Sequence, residues 1–448
     1  MAQPALPKDK STIVYGMIVI FIVTLGVRLL CWHDVRLEVR QVQSAVTANY
    51  KTLAHLLIEN GPASFFDPES STSDPDLLGH PPGYPIFLAA AYKVFGESDD
   101  AIQILQIIAD AFAAVIIFLI ASELLPKRVA VFTGLLAALS PQFSWNSVML
   151  LPDSLAILPL LVALLLLVRA HNREQIWSSL AAGVLVGISC WLRANSLLLA
   201  PFLLLAIPLL FKKGLRTRPA LGLLIGAIIA IAPLTIRNAV VFHHFIPLSL
   251  GAGQTLIEGI ADFDRQNSFG FPKTDKELTE QEAVASGRPD YASALFTPDG
   301  IERDRARVQR AFGLIRAHPV WFAGVMIQRA TSMVRLERTP VTSTAPVTAG
   351  VLHYPRLVLR LVQKLFITAV FLPLVIIGLI ILVRLRSRRA LAVIAVLPAY
   401  YFVVQSVLHT EYRYVLATDY FLFVLAAVAL HELIALVERR PTNQVQAS

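Results

Sequence analysis

A chain of 448 residues that is 56% hydrophobic and only 16% charged, with a mean hydropathy of +0.63, carries too little charge for a soluble surface, since an ordinary globular protein is about 25% charged. Soluble enzymes, single-pass receptors and enzymes held by one anchor are excluded, because at about 20 apolar residues per span the chain accommodates roughly ten membrane helices. The formal charge of +8 does not point to nucleic acid: the cations fall in short loops between apolar runs, where they set orientation in the bilayer.

Taken in order, the apolar runs predict helices at 13–32, 101–122, 129–145, 150–168, 177–192, 195–211, 219–236, 366–383, 390–408 and 414–437. The fold class expected is therefore an all-α polytopic membrane protein of about ten spans. The run from Ile13 to Leu30 is nearer a full span than the 7–15 residue core of a cleavable signal. Lys8 and Lys10, Lys127 and Arg128, Arg169 and Arg173, Lys212 to Arg218, Arg384 to Arg389, and Arg439 with Arg440 all fall on one side of this alternation. The positive-inside rule makes that side, with both termini, cytoplasmic. Two long loops, 33–100 and 237–365, then face outward. The expected organisation is an N-terminal membrane module, 1–250, an extracytoplasmic subdomain of short helices, 251–365, and C-terminal membrane helices with a tail, 366–448. Cys31 and Cys190 have no metal-ligand spacing and read as two inert thiols, or as one bridge if both reach the same face.

Unusual polar chemistry concentrates on the outward side. His80-Pro81-Pro82-Gly83-Tyr84-Pro85 fixes an extended turn through its prolines and presents His80 rigidly, where a neutral imidazole is able to ligate a metal or bond a phosphate oxygen. Gln103, Gln106 and Asp110 share one helix face; Asp110 is expected to be uncharged packing glue. Asp153 in Leu151-Pro152-Asp153-Ser154 suits a helix N-terminus. Arg193, in the hairpin between two apolar helices, calls for an anionic partner: a lipid-borne phosphate or Asp153. Arg237-Asn238 closes the seventh predicted helix, and the run that follows carries Gly251, Gly253 and Glu258, where backbone N–H groups are free to bind anions. Glu411 and Arg413, in His409-Thr410-Glu411-Tyr412-Arg413-Tyr414, form the last outward turn, where mutual pairing alone contributes little.

The order of these motifs, with Tyr50-Lys51-Thr52-Leu53-Ala54, Phe95-Gly96 and Ile236-Arg237-Asn238, resembles the GT-C superfamily of membrane glycosyltransferases. The nearest likeness is to bacterial relatives of protein O-mannosyltransferases and aminoarabinose transferases. That resemblance implies a bacterial inner-membrane enzyme that takes a sugar from a polyprenyl-phosphate donor to a glycan, lipid or protein acceptor on the periplasmic or extracellular face, with inversion. An acidic residue in the first outer loop would act as base, and Arg193, Arg237 and Arg413 would clamp the donor phosphate. His80, the candidate metal ligand, with Tyr84, Glu258 and Glu411 would complete the site; a divalent metal is left open. Relatives carry Asp-Glu shortly before the tyrosine, but this chain reads Val46-Thr47-Ala48-Asn49-Tyr50. The base therefore passes to Asp34 first, Asp153 second, or to Glu38 or Asp67. The alternatives are a transporter or flippase of lipid-linked saccharides, which the lack of an internal repeat disfavours, and a catalytically silent scaffold.

Overall fold

A computed structural model describes residues 10–170, 176–337, 352–409 and 411–438. No strand occurs among them. Helix α1 (Lys10–Val39) leads into an outer layer of α2 (Ser44–Glu59), short 3-10 turns and α3 (Gly83–Phe95). The chain then passes through α4 (Asp99–Leu124), α5 (Lys127–Leu139), the short α6 (Pro141–Val148), α7 (Asp153–Arg169) and α8 (Ile176–Leu192). Two brief helices, α9 (Leu199–Leu203) and α10 (Ile207–Leu210), precede α11 (Thr217–Phe242). The second outer region holds α12 (Ala252–Ala261), α13 (Asp275–Ser286), α14 (Gly300–Ala317) and α15 (Pro319–Met333). The chain closes with α16 (His353–Gln363), α17 (Thr368–Arg384), α18 (Arg388–Val407) and α19 (Leu416–Glu438).

The all-α membrane architecture agrees with the sequence reading, but a count of ten spans is not confirmed. Among the described residues, five segments are long and apolar enough to cross a bilayer, two pairs, α6/α7 bent by 117° and α16/α17 bent by 60°, raise the number to seven, and α8 is apolar but shorter. The expected helix 195–211 is interrupted, because Pro201 and Pro208 lack the N–H that a continuous helix requires. The expected helix 129–145 divides at Ser140-Pro141, and α6 turns into the protein, where all eight of its residues are buried. The first outer loop also starts later than expected, since α1 runs on to Val39.

Two packing devices hold the bundle. Helices α8 and α11 meet through small residues: a Cβ at Gly183 would collide with the Leu223 carbonyl, and one at Gly226 with that of Leu180. Close backbone approach of this kind drives helix association where lipid supplies no hydrophobic force. The second device is ionic. Arg28, fully buried in α1, places its Nε 2.7 Å from Asp110 Oδ2 of α4. Its other nitrogens donate to the Ala138 carbonyl at 2.6 Å, Ser144 Oγ at 2.9 Å and the Ala137 carbonyl at 3.0 Å. Tyr420 of α19 donates to Asp110 Oδ1 at 2.9 Å. Asp110 is thus one half of a buried ion pair rather than uncharged glue, because Arg28 supplies the counter-charge from a helix distant in sequence.

The outer helices have a small core of their own, including Leu256, Ile257, Ile260, Leu278, Ala311 and Phe322. Glu282 draws in Arg303 and Arg307 at 2.7 and 2.6 Å. Arg329 fastens this layer to the bundle: Nη1 donates to the Ser406 and Val407 carbonyls at 2.9 and 3.0 Å, and Nη2 to the Gly259 carbonyl. Cys31 is half-buried, Cys190 is buried, and both are free.

Arg28→Leu or Asp110→Leu alone leaves a buried charge without its partner and should cost about 3–5 kcal/mol, whereas the double substitution should recover much of that loss. Thermal unfolding in detergent checks this; additive losses in the double variant would contradict the pairing.

Candidate functional site

Three chain segments converge at the outer end of the bundle. The first is the proline turn before α3, where Gly83 permits contact with α8: a Cβ there would strike the Trp191 carbonyl. The second is the break between α6 and α7, which sets Asp153 in the first turn of α7, a favourable place for a carboxylate. The third is the 3-10 turn Tyr412–Val415, which leads into α19 and carries Arg413. Arg193 completes the group from the end of α8. Its hairpin is pinned by Tyr400, which donates to the Asn195 carbonyl at 2.7 Å, and by Asn195 Nδ2, which donates to the Tyr414 carbonyl at 3.2 Å.

Arg193 Nε stands 3.4 Å from Asp153 Oδ1, with only 14% and 3% of the two side chains exposed. The Arg193 guanidinium lies 4.4 Å over the Tyr414 ring, and that of Arg413 lies 5.1 Å from the same ring. Arg413 is held by Glu411 through Nε at 2.5 Å and Nη2 at 3.1 Å. One cleft is lined by Asp153, Arg193, Asn195, Tyr401, Arg413 and Tyr414. Two groups there have no hydrogen-bond partner among the described residues: Asp153 Oδ2, an acceptor, and Arg413 Nη1, a donor. Buried polar atoms without partners are costly, so such a pair in one cleft suits a ligand that supplies both.

His80 borders this arrangement. Its ring packs 5.2 Å from that of Tyr50, which in turn meets Tyr84 at 5.1 Å. Burial, reinforced by Arg193 and Arg413, drives its pKa down to about 4, so the imidazole is neutral at physiological pH and available as a hydrogen-bonding group. It does not suit a divalent cation: two guanidiniums face it, and no group of three His, Cys, Asp or Glu side chains able to hold a metal occurs among the described residues. Tyr84 is fully buried and donates to Gln106 Oε1 at 2.7 Å, which fixes the proline turn onto α4.

Three expected site residues lie outside this cluster. Asp34 is ion-paired on both oxygens, at 2.6 Å to Arg356 and 3.0 Å to Arg360, so it ties α16 to α1. Arg237 falls inside α11, which extends past it, and binds protein carbonyls: Phe65 at 2.8 Å and Thr72 at 3.2 Å, with Ser73 Oγ at 3.4 Å. It lies between the Phe65 and Phe242 rings at 4.3 and 4.8 Å and anchors the first outer loop. Glu258 accepts from Gln254 at 3.1 Å. Burial and the neighbouring Asp275 raise its pKa to about 7.

Glu411 links the cleft to the outer layer through a residue that the sequence reading had not singled out. His409 Nδ1 is 2.9 Å from Asp262 of the α12 C-terminus, and Nε2 is 3.7 Å from Glu411. Burial opposes the charged imidazole, yet these two carboxylates outweigh it and raise its pKa to about 9. Burial likewise opposes the Glu411 carboxylate, but contacts with His409 and Arg413 hold it down to about 2. Tyr50, Asn195 and Tyr414 were also missed as site residues. Tyr50 and Tyr414 stand in quoted motifs, and only the third dimension brings them beside the arginines, while Asn195 ties the Arg193 hairpin to the Tyr414 carbonyl.

With this geometry in view, comparisons with known proteins give a consistent picture. Residues 79–236 match the family described as dolichyl-phosphate-mannose-protein mannosyltransferase. That stretch contains His80, Tyr84, Asp153 and Arg193, and ends just before Arg237. No curated protein sequence matches the chain significantly. Among solved structures, the apo oligosaccharyltransferase of Archaeoglobus fulgidus superposes with a TM-score of 0.54 at 14% identity, over 96% of this chain and 52% of that one. The archaeal oligosaccharyltransferase AglB from the same organism, in complex with an inhibitory peptide and a dolichol-phosphate, superposes with a TM-score of 0.52 at 16% identity, over 98% and 53%. The chain thus spans about half the length of these neighbours. ArnT from Cupriavidus metallidurans, at 16% identity over 94% of this chain and 78% of that one, reaches a TM-score of only 0.36, and no argument rests on it. The resemblance to GT-C membrane glycosyltransferases agrees with these comparisons: the chain shares the all-α multi-pass fold of the oligosaccharyltransferase, and residues 79–236 match the mannosyltransferase family model.

The unfolded reference for an imidazole is about 6.5, so the His409 contribution to stability is fully present below that value and lost as pH rises through about 9. Hydrogen exchange in the α12 C-terminus and the 408–415 turn should accelerate between pH 7 and pH 10 in wild type. In His409→Asn the pH-specific part of that acceleration should vanish; an unchanged profile would contradict the link.

Proposed function

We propose that this protein moves a sugar from a polyprenyl-phosphate donor to an acceptor hydroxyl on the extracytoplasmic face of the membrane. The observation that carries the reading is the cleft in which Asp153 Oδ2 and Arg413 Nη1 are both left without partners. A phosphate oxygen supplies the acceptor that Arg413 lacks, and an acceptor hydroxyl supplies the proton donor that Asp153 lacks. The AglB neighbour that holds a dolichol-phosphate makes a lipid phosphate the natural class to test.

In this reading Arg193 fixes Asp153 through Oδ1 and leaves Oδ2 to take the proton from the acceptor hydroxyl as general base. The hydroxyl oxygen attacks the anomeric carbon from the face opposite the phosphate. The bond from that carbon to the phosphate oxygen breaks, its electron pair stays on the phosphate, and the configuration inverts. Arg193 and Arg413 stabilise the charge gathering on the leaving phosphate, the kind of preorganised electrostatic contribution that dominates many active sites. His80, neutral beside them, is free to donate one further hydrogen bond.

Asp153 takes precedence over Asp34 as base because both oxygens of Asp34 already accept from arginines. Arg237 is removed from the phosphate clamp because its guanidinium binds loop carbonyls. Residues 1–250 then act as the transfer module, 251–365 as its outer cover and 366–448 as the membrane helices that bring in Arg413. The segments rich in lysine and arginine face the cytoplasm of a bacterial inner membrane.

Purified protein with a polyprenyl-phosphate sugar and a pool of glycan, lipid and peptide acceptors should consume donor. Asp153→Asn should lower turnover by about 10²–10⁴-fold with donor binding retained, and Arg193→Ala should weaken donor binding about 10-fold or more. If wild type consumes no donor while lipid-linked saccharide still crosses vesicle membranes, a flippase replaces the transferase; if neither occurs, a silent scaffold does. For orientation, an impermeant thiol reagent should label Ser268→Cys, which is exposed, from outside the cell. Labelling from the cytoplasmic side alone would reverse the assignment of faces.

A further inference from the structure

A second cleft lies beside the first, across the 3-10 turn Tyr412–Val415. It is lined by Met333, Arg335, Tyr412, Val415, Leu416 and Asp419, among others, and shares Leu416 with the cleft of Asp153 and Arg193. Asp419 stands about one turn into α19, roughly 4.5 Å below its start at 1.5 Å per residue. Only 6% of it is exposed, and it has no hydrogen-bond or ion-pair partner among the described residues. A carboxyl group inside a membrane protein is normally paired, and one that is not marks a functional position.

Arg335 borders the same cleft from just beyond α15, exposed and without a side-chain hydrogen bond or ion pair within 4 Å among the described residues, its charged neighbour being Glu337. The acid and the base therefore line one opening without reaching each other within ion-pair distance. Both remain open to a third party. Asp419 differs here from Asp110 and Asp153, each of which has an arginine beside it.

We propose that this second cleft is a saccharide subsite, in which one of two vicinal sugar hydroxyls donates to the carbonyl oxygen of Asp419 and the other accepts from its O–H, a ring or hydroxyl oxygen accepts from Arg335, and the apolar face of the ring rests on Met333, Val415 and Leu416. A protonated carboxyl presents an acceptor and a donor side by side, a pattern that two neighbouring hydroxyls match, and a buried carboxyl with no counter-charge within ion-pair reach takes that form. In the transferase reading this subsite holds the acceptor while the first cleft holds the donor phosphate. The proposal rests on that reading only for the word acceptor.

The test uses the intact protein in nanodiscs, with dicyclohexylcarbodiimide, which modifies protonated buried carboxyl groups, and mass spectrometry to read Asp419. Asp419 should be labelled in the free protein and protected by methyl glycosides such as methyl α-mannoside, but not by cyclohexanol, which has a single hydroxyl. Arg335→Ala, at an exposed position, should raise the glycoside concentration needed for protection about tenfold, as expected for loss of a hydrogen bond to a charged group. Asp419→Asn should bind undecaprenyl phosphate as wild type does. The proposal is overturned if Asp419 is not labelled, if no methyl glycoside protects it, if cyclohexanol protects equally, if Arg335→Ala leaves protection unchanged, or if Asp419→Asn loses undecaprenyl phosphate. Protection without any sugar transfer would remove the transferase reading alone, and transfer without protection would remove the subsite alone.

Discussion

The buried pair of Arg28 and Asp110 is the interaction on which the outer end of this molecule depends. Two opposite charges taken out of water attract strongly only if their remaining hydrogen-bonding capacity is met. Here Ala137, Ala138, Ser144 and Tyr420 meet it from α5, α6 and α19. The guanidinium thereby holds the end of α5 and the inward-turning α6, and Asp110 holds α19 in its second turn through Tyr420. Those three positions set the two clefts: the α6/α7 break presents Asp153, and the start of α19 presents Asp419 and, just before it, Arg413.

The outer surface is organised by arginines with contrasting surroundings. Arg237 and Arg329 bind backbone carbonyls and hold loops in place. Arg356 and Arg360 converge on one carboxylate, Asp34, and fasten the amphipathic α16. Arg193 and Arg413 differ in sharing the Tyr414 ring and in lining one cleft, where the unpartnered Nη1 of Arg413 meets the same opening as the unpartnered Oδ2 of Asp153. Charge alone does not identify a phosphate-binding arginine; what matters is whether protein atoms already occupy its donors.

This contrast explains how far the sequence could be read. Membrane character, helical class and the gathering of polar motifs at one end of the bundle were legible because they follow from composition, apolar length and the spacing of the polar turns. The meeting of Asp153 and Arg193 was legible too, as each interrupts an apolar run at the same end of the bundle. The roles of Asp34 and Arg237 were not, because their partners, Arg356 and Arg360 for one and the Phe65 and Thr72 carbonyls for the other, lie far away in the chain. Asp110 was noticed on its helix face, but nothing local revealed that Arg28 would neutralise it. The span count was the least legible, because prolines and a buried polar helix break runs that look continuous by hydropathy.

The central claim is that the cleft between Asp153 and Arg413 receives the phosphate of a lipid-linked donor. Its most direct test is a cryo-electron microscopy structure of the protein in nanodiscs with undecaprenyl phosphate. The account predicts phosphate density within hydrogen-bonding distance of Arg193 and Arg413, with the prenyl chain leaving the cleft toward the bilayer. Phosphate bound at Arg237, at Arg356 and Arg360, or anywhere that leaves Arg413 Nη1 unpartnered would contradict it.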